Sequence, residues 1–124
     1  MIMNNNEYVS FDAAVKLRQL EFDGDSTHYY HREYPARLFD AYPADNYNDS
    51  TFCCTAPTIY DAAAWLRTKG WHVQPMLNGV RSAYFVRVIE LVGNGEYING
   101  ERQFEEYESA LSYGIDIALN QLTR

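Results

Sequence analysis

The spacing of hydrophobic and polar residues predicts two helices in the first 70 residues. Ser10 is a typical N-cap for a helix over 11–22, in which polar side chains recur at helical spacing. A second helix begins at Thr58, which with Asp61 three residues later resembles a capping box, and Gly70 is its natural end. Both helices are therefore predicted from their caps as well as from their hydrophobic stripes.

A third helix is predicted over 107–122, close to the end of the chain. Ser109, Ser112 and Asp116 share one face with Asn120, and we expect that face to be the solvent side of an amphipathic helix. The same helix contains Gly114, which lowers helix stability. A glycine at that position predicts close packing against a sheet.

Four further segments have the character of strands. The segment 26–34 is rich in aromatic residues, 71–77 contains Pro75 and suits an edge or a bulge, and 96–104 is the most polar. The segment 83–92 is apolar on both faces, which places it in the middle of a sheet. Together the elements predict an α+β fold: an antiparallel three- to four-stranded meander with two or three helices packed on one face.

The segment 35–52 shows neither the helical nor the strand period. It combines prolines, asparagines and three aspartates with Tyr42 and Tyr47, so we predict a long acidic, tyrosine-rich loop. Loops of this length in a compact domain are uncommon and are often functional. The 124 residues suit one domain over 1–124, with residues 1–7 expected to be flexible.

The net charge of the chain limits the classes of molecule that it is expected to bind. Seventeen acidic residues against ten basic ones give a formal net charge of −7, which repels phosphate backbones and anionic lipid surfaces. Direct nucleic-acid binding and membrane binding are therefore not expected, and the polar start of the chain carries no pattern of a secretory signal. These observations predict a cytoplasmic protein that is a monomer or a weak homodimer.

The cysteines and histidines do not form a recognisable catalytic or metal-binding pattern. Cys53 and Cys54 are adjacent, which disfavours a disulfide between them and joint binding of one ion. His28 and His31 are three residues apart in a predicted strand, so their side chains are expected on opposite faces. A cysteine nucleophile ahead of the Thr58 helix is conceivable, but a buried structural cysteine explains the same sequence. We expect no metal and no cofactor.

The order of several short motifs resembles a known group of proteins. Ala56-Pro57-Thr58 opens a helix, Val9-Ser10-Phe11 begins an earlier one, and residues 104–111 begin the last one. This arrangement resembles small uncharacterised proteins carried by phages and mobile elements of gut bacteria, a domain of unknown function. Those proteins often place a threonine cap where this chain has Glu106. The resemblance implies the fold and a bacterial, phage-related origin, and it implies no activity.

Tyrosine is the unusual feature of the composition, with 11 residues, several of them in or near 35–52. Tyrosine combines a large contact area with a polar tip and is enriched at protein interfaces. Packing of these rings beneath the loop is an equally simple explanation. The candidate protein contacts are Tyr42, Tyr47, Asp45, Glu105 and Glu106. The sequence favours an accessory protein that acts by binding another protein, and it does not favour an enzyme.

Two alternatives from other classes stay open. One is a small hydrolase or transferase with a carboxylate or cysteine site beside the 35–54 segment, which would require a cleft joining His31, Cys53 and an aspartate. The other is an acidic inhibitor of a nucleic-acid enzyme, in which carboxylates imitate phosphates. The acidic start of the last helix, Glu105-Glu106-Tyr107-Glu108, argues against double-stranded RNA binding, which needs basic residues there.

Overall fold

A computed structural model describes residues 7–80 and 82–123. Residues 1–6, most of the segment that was predicted to be flexible, lie outside the described residues. Three α-helices and six β-strands occur in the described part. In chain order the elements are α1 (Phe11–Gln19), β1 (Ser26–His31), β2 (Leu38–Asp45), a 3₁₀-helix (Tyr47–Asp49), β3 (Cys53–Thr55), α2 (Ile59–Thr68), β4 (Trp71–Asn78), β5 (Ala83–Glu90), β6 (Tyr97–Asn99) and α3 (Tyr107–Leu122).

The strands form two separate antiparallel sheets of three strands each. In the first sheet β1 lies in the middle, with β2 on one side and β3 on the other. Tyr29 of β1 is the register partner of both Phe39 in β2 and Thr55 in β3. The α+β class and the antiparallel pairing are confirmed, while the strands are divided between two sheets.

The prediction of a structureless loop over 35–52 is wrong for much of that segment. Residues Leu38–Asp45 form β2 and residues Tyr47–Asp49 form the 3₁₀-helix. β2 lies at the edge of its sheet and five of its eight residues are exposed, so it lacks the apolar alternation of a half-buried strand. An edge position also accommodates Pro43, because the unpaired side of the strand requires no hydrogen-bond donor.

The second sheet is the predicted meander, in the order β4-β5-β6. Its central strand is β5, as the apolar character of 83–92 indicated, and Val86 and Val88 are fully buried. Pro75 lies in β4 at the edge of the sheet, as proline requires. After Asn99 the chain leaves the strand, and an isolated bridge between Tyr84 and Phe104 closes the end of the sheet.

Gly114 lies at a close contact between α3 and the second sheet. A Cβ atom at this position would lie 2.5 Å from Val73 Cγ1 and 2.5 Å from Val86 Cγ2. The predicted close packing is therefore confirmed, because any larger side chain would separate the helix from the sheet. Beside Gly114, the buried Leu111, Ile115 and Ala118 complete the apolar stripe of α3.

The helices meet in one hydrophobic core. α3 packs on β4 and β5, α2 packs on β4 and α3, and α1 packs on β3 and α3. Ser10 and Thr58 accept hydrogen bonds from backbone N–H groups in the first turns of α1 and α2, as predicted, whereas Glu106 makes no side-chain cap at α3. The packing of all helices on one face stays a prediction. Within the described residues, none of the helices has the length and apolar character to cross a bilayer.

Candidate functional site

The central strand of the first sheet directs alternate side chains toward the core and toward the outside. His28 and Tyr30 are buried, and the Tyr30 hydroxyl donates a hydrogen bond to the carbonyl of Val9 at 2.8 Å. Tyr29 and His31 point to the other face and are only half-buried. The two histidines therefore lie on opposite faces, as their spacing predicted.

The outer face of the first sheet carries a continuous series of aromatic rings. Neighbouring centroids are separated by 4.4 Å between Tyr47 and Tyr29, and by 5.6 Å between Tyr29 and Phe39. The series continues through Tyr34 to His31, and His31 stacks on Phe52 at 6.0 Å. We call this surface the aromatic face; it consists of Tyr29, His31, Tyr34, Phe39, Tyr47 and Phe52.

A local hydrogen-bond network holds one end of the aromatic face. The buried Thr55 hydroxyl accepts hydrogen bonds from the backbone N–H groups of Tyr47, at 2.8 Å, and of Asn48, at 3.2 Å. The Asn48 side chain accepts from the Thr55 N–H and donates to the carbonyl of Phe22. Because Tyr47 and Asn48 are both bonded to Thr55 of β3, the backbone that carries the Tyr47 ring is held beside Tyr29.

Charged groups surround the aromatic face without covering it. The Arg37 guanidinium lies over the Phe39 ring at 4.6 Å, a cation–π contact at one margin. At the other margin, partial burial and then the Asp45 carboxylate raise the pKa of Tyr47 above its usual value. The Tyr47 hydroxyl therefore stays protonated and remains available as a hydrogen-bond donor.

The structure brings together only some of the predicted contact residues. Tyr47 belongs to the aromatic face and Asp45 adjoins it. Tyr42 is 74% exposed, but it lies near Tyr8, which stacks on the inward-facing His28. Tyr42 therefore belongs to a different part of the surface.

Glu105 and Glu106 are also exposed, and they immediately precede α3. They adjoin Phe104, which pairs with Tyr84 of the second sheet. Their position is thus associated with the second sheet, whereas Tyr47 and Asp45 belong to the first.

The cysteines and His31 do not create the cleft that the enzyme alternative requires. Cys54 is fully buried, and Cys53 is the cross-strand partner of His31 on the outer face of the sheet. The His31 Nδ1 accepts a hydrogen bond from the backbone N–H of Glu33. Within residues 7–80 and 82–123, no group of three or more His, Cys, Asp or Glu side chains is arranged to hold a metal ion.

A polar cavity of about 330 Å³ does adjoin the 35–54 segment. Its lining includes the acidic residues Glu21, Asp23 and Asp49 together with Arg18, but neither His31 nor Cys53. Arg18 donates hydrogen bonds to the backbone carbonyls of Ser50 and Cys53, which gives it a structural role in anchoring this segment. A cysteine-based reaction therefore gains no support from this cavity.

Sequence reasoning missed Phe39 and Phe52 as members of the site. Phe39 was assigned to a loop, although its outward position follows once β2 is paired with β1. Phe52 is 58% exposed and precedes the short strand β3, which has too few residues to show a period. The available signal was the alternation of aromatic residues in β1, which places Tyr29 and His31 on a common face.

A scan against protein-family models, a search of curated proteins and a search of solved structures each found no match to this chain. The resemblance to small phage and mobile-element proteins accordingly stays a prediction.

Proposed function

We propose that this protein binds another protein through the aromatic face. The observation that carries the proposal is the unbroken series of rings from Tyr47 to Phe52 on the side of β1 that faces away from α1. On the opposite side, Phe11 of α1 packs edge-on against Tyr30. The outer side retains strongly exposed rings at Tyr34 and Phe52, which are 56% and 58% exposed.

The aromatic face offers a large apolar area in a pre-ordered arrangement. Each aromatic ring that a partner covers removes a large apolar surface from water, and aromatic residues dominate the binding energy of many interfaces. Tyr29 and Phe39 are already stacked on neighbours, so binding would immobilise few additional rotamers. A rigid, partly exposed aromatic surface is therefore well suited to recognition.

Charge defines the chemistry of the expected partner. The chain has a net charge of −7, and Asp45 lies beside the aromatic face. Asp49 is exposed in the same 3₁₀-turn as Tyr47. Arg37 lies at the opposite margin, over Phe39, so the complementary surface is an apolar patch with lysine and arginine side chains on the side that meets Tyr47.

Aromatic sheet surfaces also stack the bases of single-stranded nucleic acids. Those surfaces combine the rings with a positively charged groove that follows the phosphates. Here Asp45 and Asp49 adjoin Tyr47, and the net charge is negative, so phosphates would be repelled. Binding of nucleic acid to the aromatic face would therefore contradict the proposal.

The test compares two double variants with the unaltered protein in affinity capture from host lysate, followed by binding measurements with the purified partner. Tyr34→Ser with Phe52→Ser removes the two exposed ends of the aromatic face. Tyr60→Ser with Tyr97→Ser removes two rings elsewhere that are similarly exposed, at 46% and 54%. Circular dichroism and thermal melting establish that both variants are folded.

Supporting results are a basic partner protein whose affinity falls at least about tenfold in the first variant, and that binds the second variant normally. The affinity is also expected to decrease with added salt, because opposite charges meet at the margin. Equal affinity for all three proteins contradicts the assignment. Tighter binding of a labelled oligothymidylate, or concentration-dependent dimerisation lost in the first variant, identifies a different occupant and overturns the proposal.

A further inference from the structure

A group of polar side chains outside the aromatic face lines a cavity of about 360 Å³ on the other side of β1. The walls come from four parts of the chain: the segment before α1, β1, the connection between β6 and α3, and α3 itself. The lining residues are Tyr8, Ser10, Tyr30, Arg102, Phe104, Ser109, Ser112, Tyr113 and Asp116. This volume is in the range of small-molecule sites.

The contribution of α3 has helical spacing. Ser112 and Tyr113 each lie three or four residues from both Ser109 and Asp116, so the four residues form one stripe along the helix. The sequence indicated this polar stripe and predicted that it faces solvent. In the structure Ser112 and Asp116 are half-buried, because the segments around Tyr8 and Phe104 rise on either side of the stripe.

The cavity holds one guanidinium and one carboxyl group. Arg102 is exposed at the rim of the cavity, where its guanidinium lies over the Phe104 ring at 5.0 Å and over the Tyr113 ring at 5.8 Å. In the described part of the chain, Arg102 and Asp116 form no ion pair with each other, and no hydrogen bond occupies the Asp116 carboxyl. Both groups therefore keep their capacity to bind a ligand.

Two other charged side chains adjoin Asp116, and both belong to α1. Burial is the largest influence on the Asp116 carboxyl and raises its pKa. Lys16 lowers that pKa by stabilising the charged carboxylate, and Asp12 raises it by repelling the carboxylate. Lys16 itself donates a hydrogen bond to the Asn120 side chain. A cationic group supplied by a ligand would stabilise the charged form of this carboxyl, which burial disfavours.

We propose that this cavity binds a small zwitterionic amino acid with an aromatic or large apolar side chain, its carboxylate at Arg102 and its ammonium group at Asp116. The rings of Tyr8, Phe104 and Tyr113 supply apolar walls for the side chain. Ser109 and Ser112 supply hydroxyl groups for the remaining polar atoms. This site is independent of the aromatic face, since Tyr30 and Tyr29 point to opposite sides of β1.

The experiment titrates the full chain with three related probes, L-phenylalanine, N-acetyl-L-phenylalanine and L-phenylalaninamide, by calorimetry and by NMR. The acetyl compound lacks the ammonium group and the amide lacks the carboxylate. L-phenylalanine is expected to bind, and each blocked probe is expected to bind at least about tenfold more weakly, since each loses one charge-assisted contact.

Two variants assign the ends of the probe. Asp116→Asn is expected to abolish the preference for L-phenylalanine over its acetyl derivative and to retain the preference over the amide. Arg102→Gln is expected to do the reverse. Arg87→Gln is the matched control, because Arg87 likewise lies over a tyrosine ring, at 4.2 Å from Tyr97, but outside the cavity. A purely structural effect would weaken all three probes equally and would not exchange the preferences.

The stability of Asp116→Asn provides a separate check that the variant is folded. Because the folded-state pKa of Asp116 is raised, ionisation destabilises the folded state above that pKa and has no effect below the unfolded value. The variant is therefore expected to melt at the same or a higher temperature at pH 7. That gain should shrink as the pH falls from the raised pKa of Asp116 toward the ordinary aspartate value, and it should be absent below that value.

Binding of L-phenylalanine with exchange of preferences between the two variants supports the assignment. Three outcomes overturn it: no binding of L-phenylalanine, L-leucine or L-tryptophan at millimolar concentration, equal affinity for the free and the blocked probes, or equal weakening of every probe in Asp116→Asn and in Arg102→Gln. Retained binding in Tyr34→Ser with Phe52→Ser shows that the cavity and the aromatic face are separate sites.

Discussion

The two sheets differ in what covers their faces. The second sheet is covered by α3, and Gly114 allows the helix to approach so closely that Val73 and Val86 occupy the space of a missing side chain. The first sheet has a covered side, at Tyr30, and an outer side on which aromatic rings contact mainly one another. Both sheets have three antiparallel strands, so the difference lies in what covers them.

This difference separates the residues that stabilise the fold from the surface that we propose for binding. Val86 and Val88 are fully buried, so truncating either side chain lowers the free energy of unfolding, because water does not replace the lost packing contacts. Tyr34 and Phe52 remain largely in solvent, where substitution costs little to the fold. A surface that can be altered without unfolding the protein is the one on which binding can be tested cleanly.

The largest expected effect on stability comes from disturbing the close contact between α3 and the second sheet. Gly114→Ala introduces a Cβ atom 2.5 Å from two valine side chains and should lower the free energy of unfolding by about 2 kcal/mol, measured by urea denaturation. Gly79→Ala is the control, because nothing lies within 4 Å of its added atom, and it should change stability by less than about 0.5 kcal/mol. An increase in stability at Gly114→Ala, as helix propensity alone dictates, would contradict the tight contact.

A smaller increase in stability is expected from adding an N-cap to α3. Glu106 occupies the N-cap of α3 and makes no side-chain hydrogen bond there, unlike Ser10 and Thr58 at the other helices. Glu106→Ser should raise the free energy of unfolding by roughly 0.5–1 kcal/mol. Glu105→Ser removes the same charge one residue earlier and supplies no cap, so it reports the electrostatic contribution alone. Equal results for the two variants would show that capping is not the missing contribution.

The smallest expected effect on stability concerns the aromatic face. Tyr34→Ser with Phe52→Ser should change the free energy of unfolding by less than about 0.5 kcal/mol per site, because both rings are more than half exposed. The same variant is expected to lose the partner protein. A loss of stability as large as that expected for Gly114→Ala would mean that the rings belong to the packing of the first sheet, and the contrast between the sheets would disappear.

The helices and the second sheet were predictable because their signals are local. Ser10 and Thr58 cap the helices as their sequence positions indicated, and α3 spans the predicted residues. The apolar character of 83–92 predicted the central strand β5. The edge strand β2 was not predicted, because it obtains its order from pairing with β1 and carries no pattern of its own.

The amino-acid sequence determined the class of the fold, the starts of the helices and the small residue that permits α3 to approach its sheet, whereas α1 ends at Gln19, before the predicted residue 22. Those properties depend on neighbouring residues and on the size of single side chains. Only the tertiary structure decided that Phe39, Tyr29 and Tyr47 form one face while Tyr42 lies elsewhere. It likewise decided that the polar stripe with Asp116 lines a cavity. Both outcomes depend on which distant segments meet, and contacts between distant segments follow from the packing of the whole chain.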